Sequence, residues 1–171
     1  MSKASSLQVR RGHLLFFLVA SLVVIADQLT KWGIRSSLAV GETLWSWGIF
    51  EIYRTENTGS SFGLFRGHLL ALTIVAIVGI AFILVYALVL HPRFFPPNRQ
   101  LGKVALGLIL GGTIGNLIDR ICSLVAPSQF GGVTDFLGLG WWPAFNVADS
   151  AIVIGAILFA YCLLVLIFEK R

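Results

Sequence analysis

Long apolar runs, separated by short polar stretches, dominate the sequence. Four of them stand out, at about residues 14–32, 69–90, 101–125 and 148–168. Each is long enough to cross the hydrocarbon core of a membrane, which takes about 20 helical residues. The pattern predicts an all-α membrane protein with four transmembrane helices, and 171 residues leave room for one domain. The first run is not interpreted as a cleavable signal peptide, because polar DQLTK follows it instead of a small-residue cleavage site.

Acidic residues lie inside or beside these apolar runs. There are four of them: Asp27, Asp119, Asp135 and Asp149. An ionisable group at membrane depth costs free energy and marks a functional site by default. The four acids are therefore the first candidates for chemistry.

Composition and charge support the membrane class. The chain is 57% hydrophobic and 12% charged, against roughly 25% charged in an average soluble domain. The net charge of +5 comes from basic residues at the ends of the runs, where lipid headgroups favour them. No nucleic-acid partner is expected. Cys122 and Cys162 lie in apolar segments without metal-ligand spacing, and we interpret them as packing residues.

Lysine and arginine are concentrated at the termini and in the connection between the second and third runs. These residues are Lys3, Arg10, Arg11, Arg93, Arg99, Lys103, Lys170 and Arg171. Positive charge marks the cytoplasmic side, so we predict that both termini are cytoplasmic. The two outer connections then run from 33 to 67 and from 126 to 147, although the first contains Arg35, Arg54 and Arg66. In this topology all four acids meet near the outer surface of the membrane.

The outer connections contain aromatic residues. Residues 44–53 are rich in aromatic and β-branched side chains, which favour short strands. Trp45 and Trp47 also suit the headgroup layer, as do Trp141 and Trp142 before the fourth run. A small extracytoplasmic sheet between helices 1 and 2 and an interfacial aromatic belt are compatible interpretations.

The third run carries two stripes of residues spaced by four. Gly107 and Gly111 are interpreted as packing positions, because small residues at this spacing let helices approach closely in lipid. Gly112, Asn116 and Arg120 share the adjacent face. Two roles stay open for that face: a buried polar clamp between helices, and contact with a substrate.

The start of the fourth run also permits two interpretations. Asn146 can cap the helix, and Asp149 lies near the positive end of the helix dipole. Asp135, predicted in a loop upstream, has no obvious capping task. Two carboxyl groups held close together cannot both ionise easily, so one keeps a proton while the other acts as a base. Such a pair can activate water against an amide carbonyl.

The histidines favour no other chemistry. His13 and His91 fall on the inner side, and His68 has no histidine or cysteine partner, so neither a zinc site nor a Ser-His-Asp triad is expected. We expect no metal and no cofactor. The alternative to an enzyme is a small transporter or an assembly factor whose polar residues only tie helices together. Acids at a single depth disfavour a transport path.

Five segments resemble, in order, the motifs of lipoprotein signal peptidase, also called signal peptidase II. They are DQLTK at 27–31, ENTGSSF at 56–62, GGTIGNLIDR at 111–120, VTDF at 133–136 and FNVAD at 145–149. The resemblance implies an aspartyl endopeptidase of the bacterial inner membrane. It would remove the signal peptide of a diacylglyceryl-modified prolipoprotein by cleaving before the lipidated Cys. It would act as a monomer, surrounded by membrane lipids.

The resemblance also implies roles for individual residues. Asp135 and Asp149 become the catalytic pair. The supporting and substrate-binding residues become Asp27, Lys31, Asn57, Gly59, Gly112, Asn116, Asp119, Arg120, Asn146 and Ala148. We expect Arg120 to pair with Asp27, Asp119 or backbone carbonyls, because a catalytic pair that shares a proton would not tolerate an adjacent guanidinium. The chain departs from the family pattern in a longer stretch at 121–132 and in Thr134, where Val is common.

Overall fold

The computed structural model describes residues 3–59, 68–90 and 100–169, with side chains from residue 7 onward. Some residues behind the predictions lie outside these ranges. They are residues 60–62 of the second motif, His91, and the basic residues Arg66, Arg93, Arg99, Lys170 and Arg171.

Within these described ranges, four helices are long and apolar enough to cross a membrane. They are α1 (Lys3–Ser37), α2 (Leu69–Val85), α3 (Leu101–Val125) and α4 (Val147–Glu169), and α2 continues as a π-helical turn over Tyr86–Leu90. The predicted helices are confirmed. Helix α1 is longer than predicted at both ends, because the polar residues that flank its apolar run also adopt helical structure.

Helix α3 is the most buried span, and the other three helices pack around it. Gly107 and Gly111 let α1 approach α3 closely. A Cβ atom at Gly107 would lie 2.7 Å from the Phe16 carbonyl oxygen, and one at Gly111 would lie 2.6 Å from the Ala20 carbonyl oxygen. The predicted packing role of these glycines is confirmed. The apolar side chains that point away from α3 are exposed, as expected for a surface that faces lipid.

A four-stranded antiparallel sheet lies at one end of the bundle, in the order β1-β2-β3-β4. Its strands are β1 (Thr43–Trp47), β2 (Phe50–Asn57), β3 (Val133–Leu139) and β4 (Trp142–Phe145). The predicted sheet between α1 and α2 is confirmed, but it also takes two strands from the connection between α3 and α4. Placing Asp135 in a loop was wrong, because Asp135 lies on β3, opposite Thr55 of β2.

Candidate active site

Two carboxyl groups from different elements meet where the sheet joins the helices. Asp135 comes from β3 and is 2% exposed, whereas Asp149 lies in the first turn of α4 and is partly buried. Asn146 connects them. Its side-chain Nδ2 donates to Asp135 Oδ1 over 2.7 Å, and its backbone N–H donates to Asp149 Oδ2 over 3.2 Å.

The predicted helix cap is present as well. The backbone N–H of Asp149 donates to Asn146 Oδ1 over 2.9 Å. Together with the reverse bond from the Asn146 backbone, this forms a reciprocal capping box at the start of α4. Capping and pairing of the acids are therefore two functions of the same arrangement, since the cap fixes both the Asn146 amide and the Asp149 carboxylate.

Strand β2 provides a second donor to Asp135. Asn57 Nδ2 donates to Asp135 Oδ2 over 3.1 Å. The backbone N–H of Gly59 donates to Asn57 Oδ1 over 2.9 Å, which leaves the amide nitrogen of Asn57 pointing at the acid. Each oxygen of Asp135 thus accepts a hydrogen bond from a different asparagine.

Asn116 of α3 connects the acids to the layer beneath them. Its Nδ2 donates to Asp149 Oδ1 over 2.8 Å. Its Oδ1 accepts from Lys31 Nζ at 2.9 Å and from Asn146 Nδ2 at 3.0 Å. All three hydrogen bonds are consistent with one orientation of the Asn116 amide. Of the two open interpretations, the structure places Asn116 in a polar clamp.

Beneath the acids lies a buried ionic cluster formed by Asp27, Lys31, Asp119 and Arg35. Lys31 Nζ contacts Asp27 Oδ2 at 2.9 Å and Asp119 Oδ2 at 3.1 Å, and all three side chains are at most 1% exposed. Arg35 Nη1 adds a contact to Asp119 Oδ1 at 3.3 Å. The cluster contains two acids and two bases, so its charges balance within the protein, as buried charges require.

Asp27 also anchors the start of α4. Its Oδ1 accepts the backbone N–H of Ala148 at 3.0 Å, which satisfies one of the donors left free at a helix N-terminus. Gly115 makes room for this contact, because a Cβ there would lie 2.5 Å from Asp27 Oδ2. Gly112 likewise lies against the Ala148 carbonyl. Both glycines let α3 approach the residues that position the site.

The surroundings of Asp135 favour its protonated form. Burial raises the pKa of Asp135 to about 7, and the negative charge of Asp149 adds to the effect. The hydrogen bonds from Asn57 and Asn146 and the charge of Lys31 oppose this rise in pKa. Asp135 can therefore hold or release a proton near neutral pH. In the described ranges, no group of three or more His, Cys, Asp or Glu side chains could hold a metal ion.

Comparison with known proteins identifies this arrangement. The family model for signal peptidase (SPase) II matches residues 19–165. The chain belongs to the signal peptidase II family. It is 38% identical over 144 residues to the lipoprotein signal peptidase of Dehalococcoides mccartyi strain CBDB1, covering 84% of this chain and 85% of the relative. The corresponding protein of Moorella thermoacetica is 40% identical over 150 residues, covering 87% and 92%.

A solved structure has the same fold. It is a bacterial membrane enzyme determined by the in meso method at 2.3 Å resolution, with a TM-score of 0.79 and 28% identity over 91% of each chain. Membership of the signal peptidase II family confirms the predicted family and the predicted peptidase class. It also argues against the non-enzymatic alternative.

One prediction about this signal peptidase II site was wrong. Arg120 pairs with neither Asp27 nor Asp119, whose oxygens are occupied by Lys31 and Arg35. Within the ranges that the structure describes, Arg120 makes no ion pair, and its buried Nε has no hydrogen-bond partner. Its charge nevertheless lies close enough to interact with Asp149, Asp135 and Asp119.

Sequence reasoning missed three side chains in the ionic cluster or in contact with it, which are those of Arg35, Thr134 and Gln28. Arg35 Nη1 donates to Thr134 Oγ1 over 3.2 Å, and the Thr134 backbone N–H donates to Asp119 Oδ2 over 3.1 Å. Gln28 Nε2 donates to Asp27 Oδ2 over 3.1 Å. A signal for Arg35 was available, because Asp27, Lys31 and Arg35 follow one another every four residues and so share a helix face.

Proposed function

We propose that Asp135 and Asp149 are the catalytic pair of this signal peptidase II. The reaction is hydrolysis of the peptide bond before the lipidated Cys of a diacylglyceryl-modified prolipoprotein, which releases the signal peptide. The observation that carries the assignment is the pair itself: two carboxyl groups held by the same asparagine, one of them with a pKa of about 7.

The geometry suits a division of labour between the two acids. Asp135 is the more deeply buried acid, and its pKa of about 7 lets it hold a proton near neutral pH. Asp149 is less buried and accepts hydrogen bonds from Asn116 and from the backbone of Asn146, so we assign it the role of the base. Asp149 removes a proton from water as the water oxygen attacks the scissile carbonyl carbon. Asp135 donates its proton to the carbonyl oxygen, which gives a neutral diol.

Breakdown of this intermediate reverses the proton transfers. Asp149 gives its proton to the departing amine nitrogen as the C–N bond breaks. A hydroxyl of the diol returns its proton to Asp135 as the new carboxyl group forms. The pair ends with one proton, as it began, so no further acid or base is required.

Apart from Arg120, the other predicted residues support this chemistry without taking part in it. Asn57, Asn116 and Asn146 orient the two carboxyl groups, and Gly59 fixes Asn57. The ion pairs among Asp27, Lys31 and Asp119 form a charged layer beneath the two acids. The backbone N–H of Ala148 donates to Asp27 of this layer. Catalytic groups held by packed partners in this way need little reorganisation during the reaction.

The substrate is itself confined to the bilayer, and the position of the site matches it. The acids lie at the junction of the apolar helices and a sheet that exposes Trp45, Trp47, Trp141 and Trp142, residues that suit the membrane interface. We place this junction at the outer face of the inner membrane, with both termini cytoplasmic. A single domain acts as a monomer, and the substrate enters sideways between helices while its acyl chains stay in lipid.

A cleavage assay tests the function. Purified protein in detergent is incubated with a lipidated prolipoprotein and with the same precursor before lipidation, and the new N-terminus is identified by mass spectrometry. We expect cleavage before the lipidated Cys, and little or none of the unlipidated precursor. Absence of cleavage overturns the proposed function. Reporter fusions at the C-terminus test the topology, and a periplasmic signal contradicts it.

A further inference from the structure

Arg35 and Thr134 make a contact at the base of the active site that the catalytic assignment leaves unexplained. Thr134 directly precedes Asp135 on β3 and is 1% exposed. Its Oγ1 accepts from Arg35 Nη1 at 3.2 Å, and its backbone N–H donates to Asp119 Oδ2 at 3.1 Å. Arg35 Nη1 also contacts Asp119 Oδ1 at 3.3 Å. These contacts form a closed ring that runs from Arg35 to the Thr134 hydroxyl, from the Thr134 backbone N–H to Asp119, and from Asp119 back to Arg35.

We propose that Arg35 and Thr134 are a positioning pair that fixes the backbone of β3 so that the Asp135 carboxyl group reaches Asn57 and Asn146. The proposal rests on the catalytic role of Asp135. The contact depends on the hydroxyl of Thr134, because a valine of the same shape would have no oxygen to accept from an arginine.

The longer segment between α3 and β3 contributes to the same contact. After α3 ends at Val125, Gln129 and Phe130 donate backbone hydrogen bonds to the Ala126 carbonyl in a turn. This turn places the Phe130 ring 5.4 Å from Arg35 Cζ, within reach of a cation–π contact. The guanidinium group is therefore held from two sides, by the ring and by Asp119. Immobilising it in this way fixes the strand to which it donates.

The pairing has a direct geometric consequence for the acid. Thr134 is held through three groups: its N–H by Asp119, its hydroxyl by Arg35 and its carbonyl by Asn146 Nδ2 at 3.4 Å. Because Asp135 follows Thr134 directly, these contacts also fix the position of the Asp135 backbone. A displacement of about 1 Å at a catalytic group can cost about a hundredfold in rate. Loosening Thr134 should therefore lower kcat more than it changes KM.

Kinetics of Thr134→Val and Thr134→Ser test the pair. Valine keeps the shape of the side chain but removes its acceptor, whereas serine keeps the hydroxyl. We expect Thr134→Val to lower kcat by about tenfold to a hundredfold with KM within about twofold, and Thr134→Ser to restore most of kcat. Thr73→Val is the matched control, because Thr73 is also buried but its hydroxyl donates to the Leu69 carbonyl of its own helix.

A double-mutant cycle separates a positioning pair from independent effects. Arg35→Gln combined with Thr134→Val should be no slower than the worse single variant, because either change already removes the shared contact. Equal kcat in Thr134→Val and the parent protein, or losses that multiply in the double variant, overturn the proposal. If Arg35→Gln does not fold, Thr134→Val alone still decides, since it removes no charge.

Amide hydrogen exchange provides a test that does not depend on cleavage. In Thr134→Val, peptides that cover β3 should exchange at least about tenfold faster than in the parent, while Thr73→Val leaves them unchanged. Unchanged exchange in β3 overturns the pair, whatever the enzyme cleaves. Faster exchange in a protein that cleaves no prolipoprotein supports the structural contact and rejects the proposed function, so the two failures are distinguishable.

Discussion

The side-chain amide of Asn146 donates to Asp135 over 2.7 Å while its oxygen accepts the backbone N–H of Asp149 over 2.9 Å. One residue therefore caps a membrane helix and holds a buried acid on a neighbouring strand. Buried acids are costly when they are left unpaired. The cap thus reduces the free-energy cost of burying Asp135, because the side chain that caps α4 through its oxygen also supplies the acid with a hydrogen-bond donor.

Replacing either acid of the proposed pair by its amide should abolish cleavage. We expect Asp135→Asn and Asp149→Asn each to reduce kcat to background, because an amide can neither hold nor transfer the shared proton. Both proteins should insert and fold. Glu51→Gln is the control, since Glu51 is an exposed acid of the same sheet. Near-normal turnover by either purified variant contradicts the assignment.

The activity should decline above about pH 7. Asp135 must carry the proton, and its pKa lies at about 7. A plot of log kcat/KM, which reports ionisations of the free enzyme, against pH should therefore bend to a slope of −1 as Asp135 loses its proton. A kcat/KM that stays constant to pH 9 shows that Asp135 is not the acid.

The same rise in pKa makes the stability depend on pH, with a definite sign. The folded protein binds a proton at Asp135 up to about pH 7, whereas the unfolded chain releases it near pH 3.8. The contribution of Asp135 to the free energy of unfolding therefore falls as the pH rises between these values, by at most about 1.4 kcal/mol per pH unit. Asp135→Asn should flatten this slope and melt higher than the parent at pH 8. Identical pH profiles for the parent and the variant contradict the raised pKa.

The sequence predicts the helices far better than the sheet. The apolar runs alone locate four spans, because a helix satisfies its own backbone and needs only length and apolar side chains. The sheet depends on pairing β2 with β3, and its contact between Asn57 and Asp135 joins residues separated by 78 positions. Local composition suggested strands in the first connection but contained nothing about this distant partner.

The same distinction explains the error about Arg120. Depth along the helices correctly suggested that Arg120 lies near several acids. It could not reveal that Lys31 and Arg35, one turn apart on α1, reach Asp119 first. Competition between cations is settled by helix packing, since α1 and α3 meet through small residues with their charged faces in contact.

Cleavage should not require a metal ion. The described ranges contain no suitable cluster of ligands, and the proposed proton transfers need only the two carboxyl groups. Activity should therefore survive EDTA and phenanthroline at concentrations that inactivate a zinc peptidase assayed in parallel. Inactivation by the chelators that is reversed by added zinc overturns the aspartic mechanism.

Lys31 should contribute to stability more than other buried lysines. Lys31→Met leaves Asp27 and Asp119 without their shared cation, and breaking a buried ion pair costs about 3–5 kcal/mol. Lys103→Met is the matched control. Lys103 is also buried, but it lies at the N-terminal end of α3 and donates to the Ala87 carbonyl. Its replacement should therefore lower the free energy of unfolding by only about 1–3 kcal/mol. Equal losses in a denaturant titration in detergent contradict the central role of the Lys31 cluster.

Arg120 should affect catalysis and leave stability nearly unchanged. Arg120→Ala deprives no carboxylate of an ion pair, so we expect the free energy of unfolding to change by less than about 1 kcal/mol. Its unpaired Nε and its positive charge lie near the two acids of the proposed pair, where stabilisation of the charge developing on the substrate is worth about 10²–10³ in kcat.

The matched control for Arg120 is Arg54→Ala. Arg54 is also partly buried, but it pairs with Glu56 at 2.7 Å and donates to the carbonyls of Arg35 and Leu38. Removing it should destabilise the protein by about 1.5–3 kcal/mol. A thermal melt and a cleavage assay on both variants separate the two roles. If Arg120→Ala melts well below the parent protein while its remaining folded fraction turns over normally, Arg120 stabilises the fold and has no part in the reaction.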